Sequence, residues 1–555
     1  MGRINGKISP IENKKVDKKM GKYFGVMLDM SRDGVMKVDA VKKYVDYLAL
    51  FGYNMLQLYT EDTYEVDNEP YFGYLRGAYT KDELKEIDAY CNSKGVEFIP
   101  CIQTLAHLAT IFRWGAYSRI RDVSDILMID DDRTYELIEN MFATLAECVT
   151  TRKIHIGMDE AHMVGLGKYL DKYGYHNRFE LLNKHLTKVV EIAKKYGFKP
   201  MMWSDMFFRI SNKGQYYGRD MLIPQELIDG VPEVDLVYWD YYHTKKEDYR
   251  AMVKTHRCFN KDVWFAGGAW SWFGFAPSNR YTLKTMKPAL DVCREEGVEN
   301  IFMTLWGDNG RECSYFTLLP SLYYMKRYYE GEKDRAVIAK EYEALTGESF
   351  QRMMNFDLPN LVDGNKVLTK NPSKYMLYAD LFFGIFDTAL NEGVDEEYKK
   401  LARKFAIYAG QSKNFAYLYS MYSKLCKVLS LKYSLGVHLR AAYQNKDAEA
   451  LKALALKIKK VEKCVEEFYD AFRTHWYTEY KPNGFEVHDT RIGGLLHRLR
   501  SCRRRVEEYL SGKVDVLPEL EMQLLDFWGN GRGEYGKQMP ANNSWGGIVT
   551  MNVLN

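Results

Sequence analysis

Four times in the first 300 residues the chain repeats one punctuation: a helical stretch ends, a single glycine follows, and an apolar run begins at once. The places are Leu50-Phe51-Gly52-Tyr53, Ser93-Lys94-Gly95-Val96, Lys195-Tyr196-Gly197-Phe198 and Glu295-Glu296-Gly297-Val298. A glycine just past a helix supplies the left-handed residue that caps it, and a strand following directly makes a helix–strand unit. Between residues 23 and 330 eight apolar runs begin, near Phe24, Asn54, Val96, Lys153, Lys199, Val234, Val263 and Asn300. Amphipathic stretches at 38–50, 81–93, 133–149, 178–196 and 283–296 lie between them. Such alternation builds a parallel sheet, and eight units of this length fit a closed (β/α)8 TIM barrel. An open doubly wound sheet is the competing arrangement, but no glycine-rich phosphate loop follows the first run.

Beyond residue 330 β-branched runs thin out and helical periods take over, at 334–346, 396–409, 448–469 and 491–510. The expected organisation is a leader at 1–22, a barrel at 23–330 and a mainly α-helical C-terminal domain at 331–555. That domain ends in a Gly/Asn-rich tail carrying Trp545, expected against the barrel mouth or a neighbouring subunit; a homodimer is one assembly it allows. Arg498, Arg500, Arg503, Arg504 and Arg505 cluster on one helix, where a solvated or intersubunit face with Glu507 and Glu508 is the simpler reading than a phosphate site. A net charge of +3 over 555 residues favours neither nucleic acid nor membrane as a partner. The polar, Lys-rich start lacks a signal-peptide core, and no run approaches the roughly 18 apolar residues of a membrane span. Nine scattered cysteines without a CxxC pair suit reduced thiols, so the cytoplasm is the expected compartment.

In a barrel of this kind chemistry collects just after each strand. The fourth run, Lys153-Ile154-His155-Ile156, passes through Gly157-Met158 into two adjacent carboxylates, Asp159 and Glu160. If both were ionised in a dry pocket they would repel, so one is expected to titrate high and act as an acid. The competing reading is an acidic helix start. The other strand ends carry Asp29-Met30-Ser31-Arg32, Glu61-Asp62, Gln103-Thr104-Leu105-Ala106-His107, Trp203-Ser204-Asp205, Trp239-Asp240-Tyr241, Trp270-Ser271-Trp272 and Trp306-Gly307-Asp308. Aromatic walls, convergent carboxylates and one arginine describe a pocket for a neutral, multiply hydroxylated ring.

These residues resemble glycoside hydrolase family 20, the β-N-acetylhexosaminidases, over residues 20–330. His155-Ile156-Gly157-Met158-Asp159-Glu160 is similar to the family's His-x-Gly-Gly-Asp-Glu motif, with Met158 in place of the second glycine. The resemblance implies a retaining exo-acting enzyme that removes terminal β-linked GlcNAc or GalNAc from a glycan, with no cofactor and no metal. It makes Glu160 the general acid and base, and Asp159 the partner of the acetamido N–H. Asp62 and His107 would orient Glu160, and Arg32 would grip outer hydroxyls. Trp203, Trp239 and Trp306 would wall the pocket, with Asp308 on a sugar hydroxyl, Glu61 beside Asp62 at the second-strand end, and Trp270 as a further wall. Tyr241 stands in for the tyrosine on the acetamido oxygen, which has no clean match near Trp270. The substrate's own acetamido oxygen would be the nucleophile, through an oxazolinium. The layout resembles a compact bacterial branch of the family.

Two rivals remain at this level: a retaining glycosidase with Asp308 as carboxylate nucleophile, and a sugar-binding barrel without turnover. His155 and His162 beside Asp159 could suggest a metal site, but a packed, hydrogen-bonded histidine is the simpler reading of a strand residue.

Overall fold

A computed structural model describes residues 22–259, 261–366, 369–529, 539 and 541–554. Eight parallel strands close on themselves: β1 Tyr23–Asp29, β2 Met55–Tyr59, β3 Glu97–Cys101, β4 Lys153–His155, β5 Lys199–Trp203, β6 Asp235–Trp239, β7 Val263–Gly268 and β8 Asn300–Leu305. Closure is read at β1, which pairs with β2 (Gly25 opposite Met55) and with β8 (Tyr23 opposite Asn300). The open sheet is thereby excluded. The strands are buried almost throughout, as strands sandwiched between a barrel interior and a ring of helices must be.

The four punctuating glycines are all left-handed, with φ of 80° at Gly52, 72° at Gly95, 76° at Gly197 and 65° at Gly297. Each ends a helix and turns the chain directly into a strand. β4 is the shortest strand and shares one register pair with β3, Cys101 opposite His155. It ends early because Gly157 and Met158 both leave the extended region, at φ 70°.

After β8 the chain is helical, with long helices at Val394–Gln411, Ala416–Lys432, Ala448–Glu479 and Phe485–Leu510. They pack on the barrel beside the β1 and β8 ends. Lys481 N donates to Val35 O (2.8 Å), Lys37 N to Glu479 O (2.9 Å), and Ser314 Oγ to the buried Glu479 carboxylate (2.7 and 2.8 Å). Four of the five clustered arginines are in ion pairs: Arg498 with Asp380, Arg500 with Glu462 and Glu466, Arg503 with Glu462 and Glu507, Arg505 with Glu508 and Glu519, and Arg504 is exposed. The described part of the tail reaches the barrel mouth, where Asn543 Nδ2 donates to Trp272 O (2.7 Å). All nine cysteines are free, and only Cys258 is exposed. Among the described residues no helix is long and apolar enough to cross a membrane.

Candidate active site

The turn after β4 aims the carboxylate pair, and Gln103 from the β3 end locks that turn. A β-carbon on Gly157 would press on Gln103 and come within 2.7 Å of Ile102 O, so only glycine fits. Gln103 Oε1 accepts from Met158 N (3.1 Å), while its Nε2 donates to Asp159 Oδ1 (2.7 Å) and Tyr59 Oη (2.9 Å). One buried amide thus fixes backbone and carboxylate together. His155 lies beneath: its Nδ1 accepts from Gly157 N (3.1 Å), its ring is 4.3 Å from that of Trp203, and burial pushes it down to about 3. It is a neutral packing histidine. Among the described residues no His, Cys, Asp and Glu cluster has the arrangement of a metal site.

His107 Nε2 stands 3.3 Å from Asp159 Oδ2 and 3.8 Å from Glu160 Oε2. Burial opposes a charge on the imidazole, but Asp159 wins and raises it to about 9; burial likewise opposes ionisation of Asp159, and His107 overcomes it. The two form an ion pair. Behind His107 the carboxylate is Asp125, whose Oδ2 accepts from His107 N (3.0 Å) and lies 4.0 Å from Nδ1. Asp62, expected in that place, is buried away from the cavity and held by Arg76 Nε at 3.3 Å. Glu160 is different: its side chain is 45% exposed and reaches into the cavity. Its backbone N donates to Asp205 Oδ2 (3.2 Å), which also accepts from Arg209 Nε (3.2 Å). Burial, then the charge of Asp159, push the Asp205 carboxyl up to about 7.

A cavity of about 190 Å³ opens above these groups, on the scale of one sugar ring. Arg32, His107, Asp159, Glu160, Trp203, Trp239, Tyr241, Trp306 and Asp308 all line it. Glu61 sits just behind, ion-paired with Arg32 and accepting from Tyr59 Oη (3.1 Å); burial pushes its carboxyl up to about 7. It positions Arg32 and does not face the cavity. Trp270 also departs from expectation. It stacks behind Trp272 (centroids 4.3 Å, 26° apart), donates from Nε1 to Tyr241 O (3.1 Å), and leaves Trp272 as the wall. Gly268 permits this, since a β-carbon there would meet the Tyr241 ring at 2.8 Å and Trp272 at 3.0 Å. Tyr241 Oη accepts from Trp306 Nε1 (3.1 Å) and lies in the wall between Trp239 and Trp272.

Residues 22–224 match the family model described as glycosyl hydrolase family 20, catalytic domain, and residues 348–539 match the glycoside hydrolase 20C C-terminal domain. The chain belongs to glycoside hydrolase family 20. Relatives include hexosaminidase D of Homo sapiens, 26% identical over 41% of this chain and 48% of that protein, and hexosaminidase D of Bos taurus, 28% identical over 32% and 52%. A β-hexosaminidase of Akkermansia muciniphila is 32% identical over 26% of this chain and 35% of its own length. The chain thus spans about half the length of the first two of these relatives. Within this family 20 chain, Met158 occupies the motif's second glycine position and takes the left-handed conformation without being glycine. Tyr59, Tyr242 and Trp272 line the cavity, and Gln103, Asp125, Asp205 and Arg209 brace it, without having been singled out from sequence. Trp272, Asp205 and Gln103 stand within the strand-end motifs, so proximity to a strand end was the available signal. Asp125 lies 18 residues past His107 in a loop, where no local signal marks it.

Proposed function

We propose that the barrel at 23–330 is a retaining exo-β-N-acetylhexosaminidase that removes terminal β-linked GlcNAc or GalNAc by substrate-assisted catalysis, and that residues 331–555 form a helical domain buttressing it. The reading rests on the asymmetry of the carboxylate pair. Asp159 is clamped on both oxygens, by Gln103 and by His107, whereas the Glu160 side chain is open to the cavity. A clamped ionised carboxylate suits holding an acetamido N–H and facing the cationic oxazolinium, and a free one suits moving protons. Ordinary retaining enzymes set a nucleophilic carboxylate about 5–5.5 Å from the acid, across the bond; two neighbours on one turn do not make that arrangement. An intramolecular acetamido oxygen replaces it, with effective molarities of about 10⁵–10⁸ M for well-oriented groups.

In this mechanism Glu160 protonates the leaving oxygen and then activates water. Tyr241, oriented by Trp306, takes the acetamido oxygen. Arg32, held by Glu61, and Asp308 take outer hydroxyls, while Trp203, Trp239, Trp272 and Trp306 enclose the ring. Asp308 sits among the charges around Arg32, which favours this role over that of nucleophile. The partner is a glycan with a terminal β-linked N-acetylhexosamine, and unpaired cysteines support a cytoplasmic setting. Turnover of aryl β-GlcNAc, β-GalNAc and β-glucoside substrates side by side tests the reading. Activity is expected only with the N-acetyl sugars, and equal hydrolysis of the glucoside would overturn it.

A further inference from the structure

A group of exposed rings stands outside the cavity, on the loops that follow β2 and β3. Tyr71 and Tyr74 are 46% and 48% exposed, and both lean on the half-buried Trp114, with ring centroids 5.7 and 5.2 Å away. Leu75, 67% exposed, extends the patch. The rings are on rigid ground. The buried Glu69 carboxylate accepts from Tyr117 Oη (3.0 Å), Asn140 Nδ2 (3.0 Å) and both Arg133 Nη atoms (2.7 and 2.5 Å), tying the β2 loop to the β3 loop and its helix. Phe72 N returns to Glu69 O (2.9 Å), and Tyr117 N to Trp114 O (3.0 Å), so the ring-bearing turns are closed as well. Arg76 fastens the outer edge to Asp62 and Asp33. Glu61 and His107 belong to the same two loops, which puts the patch on the barrel face where the cavity opens.

Size and chemistry select an occupant. Three partly exposed rings, each of roughly 200 Å² when fully covered, offer about 250 Å². A stable protein interface needs about 800 Å² from each partner, so a protein partner would be left mostly uncovered. A pyranose presents a C–H face to rings and hydroxyls to solvent, and one or two such rings match the area. We infer that Tyr71, Tyr74 and Trp114 form a second carbohydrate-binding surface, holding a neutral sugar of the glycan other than the one in the cavity. The inference rests on the hexosaminidase reading only for the claim that both sugars belong to one glycan.

The test uses the full chain carrying Glu160→Gln, so that ligand persists, and calorimetric titration with GlcNAc and with two neutral tetrasaccharides ending in β-GlcNAc. One tetrasaccharide is GlcNAc throughout, the other alternates with galactose. Trp114→Ala and, separately, Tyr74→Ala should weaken a tetrasaccharide about tenfold while leaving the affinity for GlcNAc in place. Equal affinity of parent and both variants for both tetrasaccharides would overturn the surface. So would a change of oligomeric state in light scattering on either substitution, which would make the patch a contact between copies. Failure of the hexosaminidase reading looks different: GlcNAc would not bind the parent at all, while the variants would still report on the tetrasaccharides.

Discussion

Asp159 and His107 each carry a charge that burial alone would remove, so each is ionised only because the other is. The consequence for stability follows from linkage. His107 is raised from 6.5 to about 9, so its contribution is fully present below about pH 6.5 and is lost as pH rises through about 9, a difference of up to about 3 kcal/mol. Asp159, lowered, loses its contribution only as pH falls into the carboxylate range. In urea, the advantage of the parent over His107→Gln should therefore shrink between pH 6.5 and 9.5; a gap independent of pH in that window would show that the pair is not ionised. Glu61, Asp125, Glu160 and Arg32 face the same imidazole and are present in both proteins. For Glu160→Gln, loss of general acid help should lower kcat on a natural disaccharide by about 10²–10⁴-fold, and least on aryl glycosides with good leaving groups. Undiminished disaccharide turnover would remove Glu160 from that role. Gln103→Leu should leave Met158 N and the inner oxygen of Asp159 without partners, costing about 1–3 kcal/mol together with activity; a Tm equal to the parent's would contradict the bracing role.

At the level of elements, legibility followed periodicity. Strand starts and four glycine caps were readable because a helix end, a left-handed residue and a strand occupy consecutive positions. The helix Ala416–Lys432 was not. Leu418, Tyr419, Met421, Tyr422, Leu425, Cys426, Val428 and Leu429 form its buried face, but Ala416, Tyr417 and Leu431 lie among Ser420, Ser423, Lys424, Lys427 and Ser430 on the opposite face and weaken the contrast on which periodicity depends. Among residues around the cavity, a strand end marked the neighbourhood of Gln103, Asp205 and Trp272 without marking the residues themselves, and Asp125, in a loop interior, had no signal at all; Asp62 and Trp270 show that a strand-end position fixes neighbourhood and not orientation. The β4 turn carries its own prediction. Left-handed backbone at Met158 costs about 1–2 kcal/mol that glycine would avoid, but the Met158 side chain is fully buried, and truncating a buried methionine costs about 2–5 kcal/mol. Met158→Gly should therefore destabilise the chain in urea unfolding. A stabilised variant would mean that strain outweighs burial at this turn.

Across the whole molecule, the helical region reaches the cavity wall at Trp272, through Asn543, and along the segment 307–315. Gly307 N donates to Asp29 Oδ2 (2.9 Å), Asp308 lines the cavity, and Arg311 is buried on the Tyr315 ring with its Nη2 donating to Tyr480 Oη (3.0 Å). Three residues further, Ser314 is held by Glu479, which also accepts from Tyr417 Oη (2.7 Å) and lies 3.4 Å from His475 Nε2. Burial opposes the charge on Glu479, and His475 with these donors keeps its carboxyl low all the same. Glu479→Ala would leave Ser314, Tyr417 and His475 facing a void, and removing one side of a buried ionic network costs about 3–5 kcal/mol. Because Asp308 and Arg311 share the segment, the loss should also reach the sugar site: KM for an aryl N-acetylhexosaminide should rise while kcat, set by Glu160 on the far wall, changes less. Glu479→Gln keeps an acceptor for Ser314 and should recover most of the KM with only part of the stability. If Glu479→Ala lowers stability and leaves KM where it was, the helical region buttresses the barrel without tuning the site; a rise in KM reversed by the glutamine places substrate affinity partly in the C-terminal half of the chain.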